Sequence, residues 1–139
     1  MSGYTLDASV LMAYLRGEAG GGALLEYVAL GVPLYVSPVN LTEVYGVLIG
    51  RGEFSQAEVE QGLGLLSQLL SVVPLQAGHV SVAGALLGRS KAEKLYLSLS
   101  DCLCLSVAAS TGTLALTADR AWAEIANLPA PVELLRGAP

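Results

Sequence analysis

GTLALTADRAW, residues 112–122, joins a short apolar strand to an acid. TLALT (113–117) has the length and composition of a buried strand, and Asp119 follows at its carboxyl end. In open α/β sheets, ligands bind beyond the carboxyl ends of the strands. An acid in this position, in a chain with few charges, is therefore a candidate functional residue.

The rest of the chain alternates short apolar strands with helices. This alternation indicates an α/β fold with a parallel sheet that helices cover on both faces. Ser37-Pro38 is the clearest helix start, and Ser55 with Glu58 has the spacing of a capping box. Strands are predicted at 3–6, 32–36, 72–75, 113–117 and 131–135, and helices at 8–16, 24–31, 38–50, 54–70, 77–90, 100–110 (capped by Ser98 or Ser100) and 118–127.

The length and composition indicate one globular domain. The chain has 139 residues and no internal repeat or linker, so we expect residues 1–139 to form a single domain. Hydrophobic residues make up 53% of the chain and charged residues only 14%, which excludes disorder. Such a composition also favours a subunit that buries part of its surface against a partner.

The same sequence points to a cytoplasmic location. No apolar run reaches the roughly 18 residues of a membrane span, and the N-terminal stretch lacks the basic region of a signal peptide. Cys102 and Cys104 are the two cysteines, and on a helix this spacing directs them to different faces. We therefore expect buried or half-buried free thiols, as in a reducing compartment, rather than a disulfide or a pair of metal ligands.

The net charge of −5 argues against a nucleic-acid ligand only if the acids are spread over the surface. If several acids lie together at one site and metal ions bind there, the local charge of that site changes sign. The positions of the individual acids therefore decide the question.

Two of the acids precede or lie within early helices. Asp7 follows the strand at 3–6 and is a candidate site residue or a helix N-cap, and Ser9 could add a hydroxyl to the same group. Glu43 shares its helix face with valines and a glycine and has no Lys or Arg within one turn. A buried carboxylate of this kind needs a cation, unless it lies at a rim that reaches water.

The other two candidates are Asp101 and Asp119. Asp101 lies in the first turn of the helix at 100–110, where the helix dipole alone would favour an acid. Asp119 could cap the helix that follows it. All four acids can nevertheless meet at one edge of the sheet, and clustered carboxylates are relieved by a hard divalent cation such as Mg²⁺ or Mn²⁺. Such an ion activates water for attack on a phosphodiester.

Taken together, the four motifs resemble those of the PIN-domain nucleases, and most closely the small VapC-type toxins of prokaryotic toxin–antitoxin pairs. The resemblance covers essentially the whole chain, including its length and element order. The motifs that carry it are LDASVL with Asp7, LTEV with Glu43, LSDCLCLSVA with Asp101 and LTADRAW with Asp119.

The resemblance implies a Mg²⁺- or Mn²⁺-dependent endoribonuclease with a three-layer α/β/α sandwich and a mainly parallel sheet. It implies that the four matching acids hold the metal, and that Ser9 or Thr117 supports the site. It further implies a homodimer that a cognate antitoxin holds inactive, with an RNA substrate and no membrane partner.

The chain departs from this pattern in its shortage of basic residues. The candidate RNA-binding residues are Arg89, Lys91, Lys94 and Arg120. The first three are also explained as a solvated helix end. Arg120, next to Asp119, is the better candidate for a phosphate contact or a salt bridge.

Two other functions fit parts of the sequence. The low charge allows a non-catalytic PIN-like subunit that binds other proteins. A phosphatase of the haloacid dehalogenase type also begins with an Asp after its first strand, but it needs a second acid where this chain has Ser9. His79 is far from the motifs, and the glycines of 17–23 lack the Lys of a P-loop, so we assign neither to catalysis.

Overall fold

The computed structural model of the protein describes residues 3–66 and 69–136. In these ranges it contains five strands, six α-helices and one short 3₁₀ helix. The strands are β1 (Tyr4–Leu6), β2 (Leu34–Val36), β3 (Leu70–Val72), β4 (Leu114–Thr117) and β5 (Val132–Leu134); the α-helices are α1 (Ala8–Arg16), α2 (Ala23–Ala29), α3 (Pro38–Gly50), α4 (Gln56–Gly64), α5 (Ala77–Glu93) and α6 (Leu99–Thr111); and the 3₁₀ helix is Arg120–Glu124.

The strands form one parallel sheet in the order β3-β2-β1-β4-β5. From β1 the chain first builds outward through β2 and β3, and then continues on the other side of β1 with β4. The strand order therefore reverses between β1 and β4, which is where ligands bind in open α/β sheets. Leu6 pairs with Leu116, so the ends of these two strands are adjacent.

Helices cover both faces of the sheet and create two cores. On β4, Leu116 packs into the core formed with α1 to α4, and Ala115 packs into the core formed with α5, α6 and Trp122. This split follows from the alternation of side chains along a strand. The predicted α/β/α fold with a parallel sheet is confirmed. Cys102 and Cys104 are buried free thiols of the second core, as expected.

The region 54–75 differs from the prediction. The capping box of Ser55 and Glu58 is present, but α4 ends at Gly64 instead of residue 70. The strand expected at 72–75 lies at Leu70–Val72. Sheet pairing explains the shift, because Leu34 donates its N–H to the Leu69 carbonyl and pairs with Leu70. Residues 67–68 of the predicted helix lie outside the described residues.

The helix predicted at 118–127 is also shorter than expected. It is a 3₁₀ helix of five residues, Arg120–Glu124, and Ile125 beyond it is extended. Trp122, which is buried, accepts the N–H of Ile125 in a bond between residues three apart. The chain has to return to the sheet at β5, and one tight turn places Trp122 in the core.

The expected domain 1–139 includes residues 1–2, 67–68 and 137–139, which lie outside the described residues. Among the residues that the structure describes, no helix has the length and apolarity that crossing a membrane requires.

Candidate active site

Asp7 occupies the N-cap position of α1, but its carboxylate does not cap the helix. The side chain is buried, and its Oδ2 accepts hydrogen bonds from Ser9 Oγ at 2.7 Å and Thr117 Oγ1 at 2.9 Å. The capping alternative therefore does not describe what this carboxyl group does. It lies at the carboxyl end of β1 and faces the end of β4.

The two hydroxyls that hold Asp7 also hold the chain after β4. Ser9 Oγ accepts the N–H of Ala118 at 3.1 Å, and Thr117 Oγ1 accepts the N–H of Asp119 at 3.0 Å. The start of α1 and the turn before the 3₁₀ helix are thus fixed to each other. Through these bonds the position of Asp119 depends on the same hydroxyls as that of Asp7.

Glu43 lies half-buried on α3 and faces the start of α6. Its Oε2 accepts a hydrogen bond from Ser100 Oγ at 3.0 Å. A serine hydroxyl of α6 is therefore a hydrogen-bond partner of this carboxylate, and the bond joins α3 to the start of α6.

Asn40 fixes α3 against α6, although it was not among the predicted site residues. It is fully buried, and its Nδ2 donates to the Ser100 carbonyl at 3.0 Å. Its own N–H is bonded to Ser37 Oγ, which in turn donates to Asn40 Oδ1. The available signal was the spacing of Asn40, which lies four residues before Val44 and therefore shares the apolar face of α3.

Asp101 and Asp119 do form caps. Asp101 completes a capping box, since its Oδ2 accepts the Ser98 N–H at 2.9 Å and Ser98 Oγ accepts the Asp101 N–H at 3.1 Å. Asp119 Oδ1 accepts the Ala121 N–H at 2.9 Å at the start of the 3₁₀ helix. A carboxylate has about four acceptor sites, so these single bonds leave capacity for another ligand.

The acids influence one another electrostatically. The pKa of Asp7 is raised to about 6: burial is the largest cause, the negative charges of Asp101 and Glu43 also raise it, and the hydrogen bonds from Ser9 and Thr117 lower it. The pKa of Asp101 is raised chiefly by burial, with contributions from Glu43 and Asp119. The four predicted acids therefore form one electrostatic group at the carboxyl edge of the sheet, which we call the acidic cluster.

The donor set of the acidic cluster suits a hard divalent cation, because it consists of carboxylate and hydroxyl oxygens. As they are arranged, however, no three His, Cys, Asp or Glu side chains within residues 3–66 and 69–136 form a group that could hold a metal ion. The carboxylates instead bind neighbouring hydroxyls and backbone N–H groups.

The four predicted RNA-binding residues have different surroundings. Arg89 is engaged in the fold, because it donates to the carbonyls of Ala126 at 2.8 Å and Asn127 at 3.1 Å and pairs with Glu93. Lys91 and Lys94 are exposed at the C-terminal end of α5, and Arg120 is exposed beside Asp119.

His79 and the glycines have structural roles. The Nδ1 atom of His79 accepts the Gln76 N–H at 3.0 Å, and Nε2 bonds with Ser110 Oγ at 2.8 Å, so both ring nitrogens have partners. A Cβ on Gly21 would lie 2.7 Å from the Ala13 carbonyl oxygen. The glycine at this position allows the loop to pack closely on α1.

Comparison with known proteins gives a family and a fold. A family model described as PIN domain matches residues 4–128. A chain in the structure of VapBC2 from Rickettsia felis bound to a promoter DNA fragment superposes with a TM-score of 0.73 at 16% identity, covering 94% of this chain and 97% of that one.

Two further solved structures resemble the chain. For VapC20 from Mycobacterium tuberculosis, a sarcin-ricin loop cleaving toxin, the TM-score is 0.64 at 21% identity, with 81% of this chain and 86% of that one covered. For DNA-bound VapBC from Salmonella typhimurium, the TM-score is 0.68 at 17% identity, with 97% of this chain and 99% of that one covered. No curated protein matches the sequence. At these identities the likeness shows the fold alone.

Proposed function

The chain belongs to the PIN-domain family, and from this premise we propose that it is a divalent-metal-dependent endoribonuclease. The observation that carries the proposal is the acidic cluster: Asp7, which is buried and has a pKa raised to about 6, shares the carboxyl edge of the sheet with Glu43, Asp101 and Asp119. Keeping several acids together costs free energy, and a bound cation is the ordinary compensation.

In this proposal the four acids are the catalytic and metal-binding residues. Asp7 and Asp119 approach from the ends of β1 and β4, and Glu43 and Asp101 approach from α3 and α6. Ser9 and Thr117 orient the Asp7 carboxylate through their hydroxyl bonds. Arg120 is the nearest basic residue in the sequence to Asp119 and is proposed to contact the RNA backbone.

Bound Mg²⁺ or Mn²⁺ would polarise the scissile phosphodiester and lower the pKa of a water molecule. The protein's own contribution is to hold the acceptor oxygens in place. Asp7 has to be deprotonated to bind a cation, and the hydroxyl bonds from Ser9 and Thr117 favour its charged form. The pairing of β1 with β4 fixes the position of Asp7 relative to Asp119.

The test is cleavage of RNA by the purified protein with Mg²⁺ or Mn²⁺, and its loss in EDTA. We expect Asp7→Asn and Asp101→Asn to lower the rate by at least about 100-fold. Glu60→Gln, an exposed acid on α4, is the matched control and should cleave like the wild type. Undiminished cleavage in chelator, or by Asp101→Asn, would show that these roles are wrong.

We further propose that the protein is the toxin of a VapBC-type pair, with residues 1–139 as one nuclease domain. Solved structures with this fold include VapBC complexes from Rickettsia felis and Salmonella typhimurium. The proposed partners are an RNA substrate, a cognate antitoxin and a second copy of the chain. Co-expression with a short neighbouring reading frame, followed by co-purification, tests the antitoxin partner.

A second candidate is a non-catalytic PIN-like subunit that binds other proteins. The observation that favours it is the spread of the acids, which form no ready metal group in the part of the chain that the structure describes. Calorimetric titration with Mn²⁺ separates the two candidates. Binding that Asp101→Asn weakens supports the nuclease, and no binding by the wild type supports the protein-binding subunit.

A further inference from the structure

The loop between α5 and α6 exposes an aromatic ring beside two lysines. Tyr96 has 87% of its surface accessible, although its neighbour Leu97 is buried in the second core. A single exposed apolar side chain is ordinary on a protein surface, so exposure alone does not make Tyr96 a binding residue. Its backbone conformation and its charged neighbours decide the question.

The loop holds Tyr96 outward through defined hydrogen bonds. Ser90, buried on α5, accepts the N–H of Leu95 at its carbonyl (3.0 Å) and the N–H of Leu97 at its Oγ (2.9 Å). Tyr96 itself has φ +60°, a conformation that is uncommon for aromatic residues. Two anchored neighbours thus fix the backbone in a conformation that directs the ring away from the core.

Positive charge lies beside this ring. Lys91, Lys94 and Tyr96 line one surface cavity of about 370 Å³. The nearby acid Glu93 pairs with Arg89 at 3.1 Å, and neither lysine forms a salt bridge with any described residue. In a chain with seven basic residues, both of its lysines are on this surface.

A second surface cavity adjoins this one and includes a residue of the acidic cluster. Ser98 and Leu99 line both this cavity and a second one of about 510 Å³, which also contains Glu43 and Ser100. Pro38, Val39 and Leu99 make the second cavity largely apolar. The two cavities meet at Ser98 and Leu99, and together they extend from the lysines and Tyr96 to Glu43. We call these two adjoining cavities the Tyr96 groove.

We propose that the Tyr96 groove binds single-stranded RNA, with one base stacked on Tyr96 and adjacent phosphates held by Lys91 and Lys94. This inference rests on the proposed nuclease function and assigns to Tyr96, Lys91 and Lys94 the binding of its RNA substrate. Stacking platforms next to basic side chains are the general means of binding single strands, and a base in a duplex cannot stack in this way.

Binding measurements separate stacking from a structural role of the tyrosine. The probe is a fluorescein-labelled oligouridine of about 12 nucleotides, titrated by anisotropy in Ca²⁺ buffer. We expect Tyr96→Phe, which keeps the ring, to bind within about twofold of the wild type. Tyr96→Asn, which suits a positive φ, should bind about tenfold more weakly. Leu30→Asn, at another exposed apolar position, is the control.

The lysines are tested by the salt dependence of the same binding. Each phosphate contact to a single strand contributes about −0.7 to the slope of log K against log salt concentration. Lys91→Gln and Lys94→Gln should each reduce the slope by about this amount. Arg51→Gln, at the exposed C-terminal end of α3, should leave it unchanged.

Cross-linking locates the stacked base directly. Irradiation of the wild type with 5-iodouridine in the probe should attach RNA to the peptide that contains Tyr96. Unchanged binding by Tyr96→Asn, cross-links confined to other peptides, or a wild type that binds no single strand overturns the proposal. Loss of self-association in Tyr96→Asn with RNA binding intact also overturns it, since the surface would then bind protein.

The nuclease function and the RNA-binding role of the Tyr96 groove can fail independently of each other. If RNA binding depends on Tyr96 but the wild type cleaves nothing with Mg²⁺ or Mn²⁺, the nuclease function is wrong while the RNA surface is supported. If the wild type cleaves and Tyr96→Asn binds and cleaves equally well, the nuclease function is supported and the Tyr96 groove is not its RNA surface.

Discussion

At the scale of single residues, the structure separates four acids that look alike in the sequence. Asp101 and Asp119 form the helix caps that their positions allowed. Asp7 occupies a cap position but turns its carboxylate to two hydroxyls, and Glu43 bonds to Ser100. Capping therefore explains two of the acids, and the remaining two are held near one another at a free-energy cost.

That cost predicts how stability depends on pH in the absence of metal. Burial raises the pKa of Asp7 to about 6 in the folded state, above its ordinary value of 3.8. The folded protein thus binds a proton more tightly than the unfolded chain, so stability falls as pH rises between about 4 and 6. Above this window the ionised Asp7 costs up to about 3 kcal/mol.

Asp7→Asn should therefore stabilise the metal-free protein by up to about 3 kcal/mol near neutral pH, since the amide is neutral and still accepts hydrogen bonds. At about pH 5 the gain should fall to roughly half, because the wild-type Asp7 is then largely protonated. Urea unfolding in EDTA at both pH values measures this. A gain that is absent, or equal at both pH values, contradicts the assignment; Glu60→Gln is the control.

At the scale of elements, the site depends on how the beginnings of α3 and α6 meet. Ser37-Pro38 and Ser98 fix where the two helices start; the first start was predicted, and the second was left open between Ser98 and Ser100. Their contact is decided by Asn40, which joins α3 to the Ser100 carbonyl. Ser100 in turn donates to Glu43. Asn40 is thus a positioning residue for the acidic cluster.

Asn40→Ala should destabilise the protein by about 2–3 kcal/mol, because it leaves buried polar partners without a hydrogen bond. It should also lower the RNA cleavage rate by about tenfold or more through displacement of Glu43. Thr42→Ala removes an exposed hydroxyl on the same helix and should change stability by less than about 0.5 kcal/mol. Urea unfolding and cleavage assays test both variants, and wild-type stability in Asn40→Ala would contradict the role.

At the scale of the whole molecule, the surface is poor in charge and carries scattered apolar side chains. Only 14% of the residues are charged. Among the described residues, the large apolar side chains that are substantially exposed outside the Tyr96 groove are Leu25, Leu30, Ile49, Leu65, Val72, Val80 and Val82. Burial of such side chains is the usual driving force for self-association.

We therefore expect a homodimer in solution, with twice the chain mass of 14.3 kDa. Light scattering coupled to size exclusion at micromolar concentration measures the mass. A monomer under these conditions contradicts the prediction. The measurement is repeated with Mn²⁺. An equal mass with and without Mn²⁺ shows that dimerisation does not require neutralisation of the acidic cluster.

The sequence by itself determined the order of the elements and the position of each acid relative to its own strand or helix. Caps such as Ser55 with Glu58, and strands such as TLALT, are local signals that nearby residues fully specify. The end of α4 was mispredicted because pairing of β3 with β2 overrode its local pattern. A local pattern contains no information about pairing with a strand that is distant in the sequence.

Only the tertiary structure decided which segments meet. Thr117 donates to Asp7, 110 positions away, because β4 pairs with β1. Asn40 reaches Ser100 because α3 packs on α6, and Tyr96 is exposed because Ser90 anchors the residues on either side of it. These contacts depend on the partner that each apolar face selects on folding. Many strands and helices present similar faces, so the sequence pattern alone leaves that choice open.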